Sequence, residues 1–367
     1  MSTPTIVEPA GPEKQSQHKH LARNIIRSIG ATQLREWGVT YPKELYKVTL
    51  NNAVHPLFDF PNWPDTSLDV YEKMLPALRL ASLFITERKV LDWWVRAING
   101  EFRADKVADR VYVSEVPSTE ENYAKTEEFL RNFAGKVKIY WMGDRMPGYK
   151  PGVPMPTGAA FTTWDYEGDF PMIFFNTQFR DYFDKELDIK TLGVLEQATY
   201  FKFAVTLVHE LTHAVHYWRR EAEQLTLEPG DEDPYFDKGD PAGEWGYHWE
   251  RHIFGNLAEA LEDVPGSVLI PRWGFIWQSW AKYKAEQEAW ACPLTDVLCW
   301  LERHHWKKVR NDGLKAAPRA REEMKLRNSA GLDLLLQAEI GKGGELVRVA
   351  SRRVKKKASQ AFSRMFS

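Results

Sequence analysis

The sequence is short of cysteine, of net charge and of long apolar runs, and each shortage excludes a class of protein. Cys292 and Cys299 are the only cysteines among 367 residues, which is too few for a disulfide framework and favours a reducing compartment. The formal net charge of −2 gives no overall electrostatic reason to bind nucleic acid. No apolar run approaches the roughly 18–20 residues needed to cross a bilayer. We therefore predict neither a transmembrane segment nor a nucleic-acid partner.

Several motifs with a known chemical purpose are missing as well. The chain contains no GxGxxG dinucleotide loop, no Gly-Lys-Ser/Thr phosphate loop and no CxxC pair. No motif therefore predicts a nucleotide-binding protein or a dithiol redox protein. The opening residues MSTPTIVEPAGPEKQSQHKH lack the apolar core of a secretory signal. We expect a cytoplasmic location.

Charge is concentrated at one end of the chain. Seven basic residues lie between Arg348 and Arg364, and no acidic residue follows Glu345. Such a tail is suited to contact an acidic partner, although a solvated tail is the commoner case. The sequence does not indicate an oligomeric state.

Apolar periodicity and turn residues predict an α+β protein with five regions. The regions are a disordered tail at 1–18, an N-terminal helical region at 19–105, a core at 106–262 that the motif described next makes the metal-binding core, a C-terminal helical region at 263–345 and a basic tail at 346–367. Helices are predicted at 20–37, 75–98, 121–133, 192–220, 243–262, 280–292, 294–310 and 317–338. Strands are predicted at 110–116, 136–142, 159–164 and 171–176, the last two forming a hairpin around the turn residues DYEGD.

The chemistry is concentrated in one motif, His209-Glu210-Leu211-Thr212-His213, within the predicted helix 192–220. At 3.6 residues per turn, His209 and His213 lie on one helix face and can bind one Zn²⁺ ion. Glu210 is rotated by roughly 100° and can serve as a general base for the water that attacks the substrate. The alternative is a buried helix that contains these residues by chance. That arrangement is costly, because ionisable side chains need partners when they are buried.

The segment VHELTHAV resembles the active-site helix of the zincin metallopeptidases. The resemblance covers about residues 136–262 and implies a zincin-like core with a small twisted sheet, an active-site helix and a bound Zn²⁺. The metzincin subfamily would need Gly and His soon after His213, whereas the chain continues AVHYWRREAEQL. The gluzincins, which take a glutamate from a following helix, are the better match.

Two glutamates are candidates for that third ligand, and both lie in the predicted helix 243–262. Glu250 is in the middle of the helix, ahead of an apolar Ile-Phe-Gly segment, and is preferred. Glu244 is the alternative, at the first turn, where the helix dipole favours a negative charge. The segment also resembles the GExGxxWE segment of fungal HExxH proteins, in which both glutamates recur. One glutamate would then bind the metal while the other orients a histidine.

Three further residues of this segment are candidates to orient a metal ligand or to bind the substrate. Tyr247 is a candidate hydrogen-bond donor to a transition state. His248 and His252 are spaced by one helical turn and are able to polarise a substrate carbonyl. Ordinary local hydrogen bonding is the commoner role for each histidine.

The predicted strand PMIFFN, at 171–176, precedes the metal helix and is interpreted as a sheet edge that pairs with an extended substrate. An ordinary hairpin strand is an equal alternative. Taken together, the motif and the resemblance predict a zinc-dependent hydrolase that cleaves a peptide or amide bond. Two rival functions remain: a metal enzyme that acts on a small molecule in a biosynthetic pathway, and a non-catalytic protein with a structural metal. The many tryptophans around 273–306 would line an aromatic pocket in the first rival, although core packing is the simpler explanation.

Overall fold

The computed structural model describes residues 48–105, 110–143, 146, 158–165, 168–185, 193–223, 234–260, 275–278, 289–320, 325–326, 334–340 and 346–353. The predicted tail at 1–18, the predicted helix at 20–37 and the basic residues from 354 onward lie outside the described residues.

Helices and small sheets occur together, which confirms the α+β class. The α-helices are α1 (Leu68–Thr86), α2 (Asp92–Asn99), α3 (Glu120–Phe133), α4 (Thr177–Phe183), α5 (Val194–Ala222), α6 (Trp245–Phe254), α7 (Leu294–Leu298) and α8 (Arg303–Asp312). The 3₁₀ turns are Pro56–Phe58, Phe60–Asn62, Cys299–Leu301 and Gly313–Ala316. The strands are β1 (Phe102–Asp105), β2 (Arg110–Val113), β3 (Lys138–Trp141), β4 (Ala160–Asp165), β5 (Phe170–Phe175), β6 (Leu257–Ala260), β7 (Phe275–Gln278), β8 (Ala289–Cys292), β9 (Lys325–Leu326), β10 (Leu334–Ile340) and β11 (Leu346–Arg353).

The long N-terminal helix predicted at 75–98 is two helices, α1 and α2. Helix α1 starts earlier than predicted because the Ser67 hydroxyl accepts a hydrogen bond from the Val70 N–H at 3.3 Å and caps the first turn. It ends at Glu87, whose extended backbone (ψ 122°) interrupts the helix. A continuous apolar pattern therefore conceals a turn between the two helices.

The sheet nearest the motif has the strand order β3-β5-β4. Strand β5 pairs in parallel with β3 and antiparallel with β4. The interpretation of PMIFFN as an edge strand is wrong, because that segment is β5 and lies in the centre. Five of its six residues are buried, as expected for a strand with a neighbour on each side. Among the described strands, the edge strand beside the motif is β4.

Helix α5 lies at the centre of the fold, between this sheet and the helices α1 and α6. Aromatic side chains fill the contact with the sheet: Phe203 of α5 packs on Phe175 with ring centroids 4.7 Å apart and on Trp63 at 6.0 Å. A helix covered on several sides must be largely apolar, and the sequence of α5 satisfies this around the motif.

The helix predicted at 243–262 ends much earlier than expected. Helix α6 ends at Gly255, which adopts a left-handed backbone conformation (φ 77°) and terminates the helix. The next residues form strand β6, with Leu257 and Ala258 buried. The apolar residues after Gly255 thus belong to a strand.

The C-terminal region predicted to be helical is mixed. Strands β6-β7-β8-β9 form one antiparallel sheet, and β10 and β11 form another. Residues of the predicted helices 280–292 and 317–338 form β8, β9 and β10, and the predicted tail begins with β11. Short apolar runs do not distinguish a strand from a helix by periodicity, which explains the error.

The predicted helix 294–310 is also interrupted. Helices α7 and α8 are separated by a 3₁₀ turn and by Glu302, which has an extended backbone (ψ 131°). Within the described part of the chain, none of the helices combines the length and the hydropathy that membrane crossing demands.

Candidate metal site

The two histidines of the motif lie on successive turns of α5 and face the same side. Their ring centroids are 5.3 Å apart, and each side chain is 15% exposed. The Thr212 hydroxyl donates to the main-chain oxygen of His209 at 2.7 Å, and Thr212 is fully buried. The helix therefore presents both imidazoles at the edge of the core, where a small ion has access.

Glu244 brings a carboxylate to the same point. Its Oε1 lies 2.8 Å from His213 Nε2 and 3.2 Å from His209 Nε2. Glu244 occupies the N-cap position of α6, which packs on α5, so the two helices together build the cluster. The three donor atoms all lie within 4.8 Å of one another.

The donor set fits a zinc ion. Metal–ligand bonds of about 2.0–2.1 Å at tetrahedral angles separate neighbouring donors by about 3.3 Å, close to the observed spacings. Within the described residues, Glu244 Oε1 is buried and accepts no hydrogen bond of ordinary geometry, although it faces two imidazoles. A buried carboxylate oxygen in that position is costly unless a cation or proton neutralises it. Two imidazoles and one carboxylate are also a typical set for a catalytic zinc ion.

Gly246 allows this arrangement, because a side chain there would collide with His209. A Cβ atom at residue 246 would lie 2.4 to 2.5 Å from three atoms of the His209 ring. The second glycine of the GExGxxWE segment is therefore a requirement of close helix packing.

Glu250 lies on the other side of the His209 ring, and this reverses the sequence preference for the third ligand. Its Oε1 lies 2.8 Å from His209 Nδ1, and its Oε2 accepts a hydrogen bond from the Ala258 N–H at 3.1 Å. Because a carboxylate only accepts hydrogen bonds, the Nδ1 nitrogen carries the proton and donates it. When the ring is neutral, as in a metal-bound histidine, this tautomer leaves the lone pair on Nε2, which faces Glu244. Glu250 thus contacts the Nδ1 side of His209, whereas Glu244 is the glutamate whose carboxylate lies within reach of both Nε2 atoms.

Glu210, the expected base, is held by Thr162, a residue that the sequence analysis did not select. Thr162 of β4 places its Oγ1 2.7 Å from Glu210 Oε2 and 3.0 Å from the Glu210 main-chain oxygen. Glu210 is 7% exposed. The only signal in the sequence was the position of Thr162 in the strand pair before the motif. Thr163 lies in the same strand, so this position does not distinguish Thr162.

The electrostatics of the cluster favour positive charge. Burial lowers the pKa of His209 and of His213, but the hydrogen bonds and charges of nearby carboxylates outweigh burial and raise both pKa values. Burial raises the pKa of Glu244, but the two imidazoles lower it by more than burial raises it. The Glu244 carboxylate is therefore ionised. The site therefore offers a cation a fixed negative charge between two nitrogen ligands.

The other candidates of the segment lie at different distances from this cluster. Tyr247 is in contact with it, since its ring packs edge-on against His209 with centroids 5.0 Å apart. His252 is on the last turn of α6. Its pKa is lowered to about 4 by burial and then by the charge of His248, with smaller effects from groups outside the metal cluster.

His248 belongs to a separate network on the far side of α6. Trp93 Nε1 donates to His248 Nδ1 at 2.9 Å, and His248 Nε2 lies 2.8 Å from Asp237 Oδ2. Because an indole nitrogen only donates, His248 Nδ1 is the acceptor. His248 Nε2 therefore carries the proton and donates it in a hydrogen bond to Asp237. Asp240 completes a second group of possible metal-binding side chains. In this tautomer, however, the imidazole already uses both nitrogens in hydrogen bonds, and the group serves to fix the loop before Glu244.

Core packing accounts for the tryptophans of the C-terminal third whose side chains are described. Trp300 and Trp306 are almost fully buried and pack around Phe84, with ring centroids 5.3 and 5.6 Å from it. Trp273 and Trp280 lie outside the described residues.

In comparisons with protein-family models, with curated proteins and with solved structures, the chain matches none. The geometry of the site is therefore the basis for the functional proposal.

Proposed function

We propose that this protein is a zinc-dependent hydrolase of the zincin type, and most specifically a peptidase. The observation that carries the proposal is the convergence of His209 Nε2, His213 Nε2 and Glu244 Oε1, and the helix of the two histidines also carries Glu210 next to His209. Three protein ligands leave one tetrahedral position open for water or substrate, as catalytic zinc sites do, whereas structural zinc sites have four protein ligands. This difference favours catalysis over the structural-metal alternative.

Each side chain has a defined task in this proposal. His209, His213 and Glu244 would hold the ion, and Glu250 keeps the Nε2 lone pair of His209 directed at it. Bound zinc supplies a Lewis acid, which polarises a carbonyl group and lowers the pKa of a bound water towards about 7. Glu210 accepts a proton from the water that attacks the carbonyl carbon. It then returns this proton to the leaving amine nitrogen as the C–N bond breaks, so that acid and amine are formed with no net proton transfer to the enzyme.

The edge strand β4 supports a peptide as the substrate. The Phe175 main-chain oxygen accepts from the Met142 N–H at 2.7 Å and thus faces β3, while the Asn176 N–H donates to the Ala159 oxygen at 2.9 Å. Opposite residues of an antiparallel pair alternate between bonded and non-bonded positions. Ala160, opposite Phe175, therefore directs its N–H and C=O away from β5, and so does Thr162 two residues later. Among the described strands, β4 pairs only with β5. An extended peptide would pair with these outward groups.

The rival function, chemistry on a small molecule, shares the same metal ligands but needs an enclosing pocket. A cavity of about 620 Å³ is lined by Arg96, Asp237 and Arg251, among others, and by none of the metal-site side chains. The tryptophans that would line such a pocket under the rival function lie in the core where their side chains are described, as the simpler explanation predicts. Among the described residues, neither this cavity nor these tryptophans provide the pocket that the rival function needs.

The test combines metal analysis with one conservative substitution. We expect one zinc ion per chain in the purified protein and cleavage of fluorescein-labelled casein. Glu210→Gln should retain the zinc and lose activity by about 10²–10⁴-fold, because a general base contributes that much. Glu221→Gln, on the exposed end of the same helix, is the matched control and should behave like the wild type. Unchanged casein cleavage by Glu210→Gln, or a wild type without zinc under zinc-replete conditions, would contradict the proposal.

A further inference from the structure

We propose that Thr162 is a positioning residue that holds Glu210 beside the metal site and couples it to the substrate-binding edge of β4. The inference rests on the proposed function and adds to it a link between substrate binding and the base. It is carried by two properties of one residue: where its hydroxyl lies and where its backbone points.

The hydroxyl group holds the carboxylate directly. Thr162 Oγ1 is 2.7 Å from Glu210 Oε2, well within hydrogen-bond distance of the acceptor. The same oxygen is 3.0 Å from the Glu210 main-chain oxygen, so the hydroxyl contacts both the backbone and the carboxylate of Glu210. A threonine side chain is stiff at χ1 because it is branched at Cβ. The contact therefore restricts the carboxylate to a narrow range of positions.

The backbone of Thr162 faces the substrate side of the strand. The hydrogen-bond alternation along β4 directs its N–H and C=O away from β5, towards the edge left unpaired by the described strands. A peptide that pairs with this edge would bond to the residue whose side chain holds the base. Thr162 alone would then determine the distance between the bound peptide and the Glu210 carboxylate.

The neighbouring threonine provides a matched comparison. Side chains alternate between the two faces of a strand, so Thr163 points away from α5. Trp164, which shares the face of Thr162, confirms the alternation because its ring lies 6.2 Å from that of Trp218 on α5. Both threonines are partly buried and lie in the same strand. Only the hydroxyl of Thr162 contacts Glu210, so replacing each threonine by valine separates this contact from the general effect of losing a strand hydroxyl.

The first experiment measures binding of a probe and not turnover. Acetohydroxamate chelates a divalent metal through two oxygens, and a carboxylate beside the metal accepts its proton. We would titrate it into the cobalt-loaded protein and follow the visible spectrum of the metal. Thr162→Val should weaken acetohydroxamate by about tenfold, the worth of one hydrogen bond to a charged group. Thr162→Ser, which restores the hydroxyl, should recover most of the affinity, and Thr163→Val should match the wild type.

A second experiment measures hydrolysis of a quenched-fluorescence peptide by the zinc-loaded proteins. Thr162→Val should lower kcat by about tenfold, because the contact acts on the base, and Thr162→Ser should restore it. Zinc affinity should be the same in all variants, since Thr162 contacts none of the three ligands. A role confined to stability would instead lower the melting temperature and leave kcat and acetohydroxamate affinity unchanged.

The outcomes separate this proposal from the one on which it rests. Acetohydroxamate affinity in Thr162→Val equal to that of the wild type, with the metal bound, would overturn the role of Thr162 alone. Metal binding without cleavage of any peptide would overturn the peptidase assignment and leave the acetohydroxamate experiment as the test of Thr162. A wild type that binds no metal would overturn both.

Discussion

At the scale of single residues, two glutamates of one short segment approach the same imidazole from opposite sides. Glu244 Oε1 is 3.2 Å from His209 Nε2, and Glu250 Oε1 is 2.8 Å from His209 Nδ1. A histidine binds a metal through one nitrogen and orients itself through the other. The two carboxylates therefore make different contacts with His209, and these contacts favour Glu244 as the ligand where the sequence favoured Glu250. In the proposed site the metal would bind the nitrogen that faces the second histidine, which makes Glu244 the proposed ligand.

This division of tasks predicts different losses of zinc affinity. Glu250→Gln should weaken zinc binding by about 10–100-fold, the usual effect of removing a group that orients a ligand. Glu244→Gln should cost more, because it removes the negatively charged ligand itself. Competition with a chromophoric zinc chelator measures both, with Glu221→Gln on the exposed end of α5 as the control. A larger loss in Glu250→Gln than in Glu244→Gln would restore the original assignment of Glu250.

Elements with a strong local signal were predictable, and elements that depend on distant partners were not. Helix α5 was expected at 192–220 and extends over Val194–Ala222, because its apolar pattern is long and free of breakers. The hairpin of β4 and β5 was likewise expected and is confirmed. The central position of β5, in contrast, depends on pairing with β3 from a separate part of the chain.

The same reasoning explains what the sequence indicated about the site. Two histidines and a glutamate on one helix can be placed relative to one another by helical geometry alone. The choice between Glu244 and Glu250 depends on how α6 approaches α5, which no local pattern encodes. Thr162 reaches Glu210 across a strand–helix contact and could be found only in three dimensions.

Arg219 is a buried arginine near the C-terminal end of α5, and its hydrogen bonds join this helix to the end of α2. Arg219 donates from Nη1 to the Ala97 oxygen and from Nη2 to the Gly100 oxygen, both at 2.6 Å. It also pairs with Glu223, and its guanidinium lies 4.4 Å from the centre of the Phe102 ring. Arginine is suited to this position because its planar fork serves several acceptors at once.

Replacing Arg219 should therefore destabilise the fold more than an ordinary surface change. Arg219→Met leaves two carbonyl groups and a carboxylate without their donor, and we expect a loss of about 3 kcal/mol in the free energy of unfolding. Arg219→Lys should lose less, since one ammonium group can retain part of the bonding. Arg220→Met is the matched control; its pair with Glu221 is long at 3.8 Å, and we expect a loss below about 1 kcal/mol. Urea denaturation measures all three, and equal losses for Arg219→Met and Arg220→Met would contradict the role of Arg219.

At the scale of the whole molecule, one hydrophobic core joins segments that the sequence suggested were separate regions. The core extends from Leu50 to Ala317 and includes residues of the predicted N-terminal, metal-binding and C-terminal regions. Phe84 of α1 packs on Trp249 of α6 at 5.5 Å and on Trp300 at 5.3 Å. The helix that carries Glu244 is therefore supported by residues far away in sequence, and the metal site depends on the complete core.

This shared core encloses histidines whose burial makes stability depend on pH. His305 packs edge-on against Trp300 with ring centroids 4.6 Å apart, and among the described residues its Nε2 has no hydrogen-bond partner. Burial lowers the pKa of His305 from 6.5 to about 4, and the charges of Lys308 and His304 act in the same direction. The unfolded chain therefore binds a proton below about pH 6.5 that the folded protein does not accept until about pH 4. Within this window, folding loses stability as the pH falls.

His305→Phe should remove this contribution while retaining an aromatic ring against Trp300. Between about pH 7.5 and about pH 5, the free energy of unfolding should fall by about 2 kcal/mol less in His305→Phe than in the wild type. This figure follows from the shift in the pKa of His305. Comparing each protein with itself at the two pH values cancels any difference in packing between histidine and phenylalanine. Urea denaturation under metal-free conditions measures the change without interference from zinc. Because His55 and His252 also have pKa values of about 4 for reasons of burial, the variant should keep part of the pH dependence. An unchanged dependence in His305→Phe would show that His305 titrates alike in the folded and unfolded states, and would contradict its burial in the core.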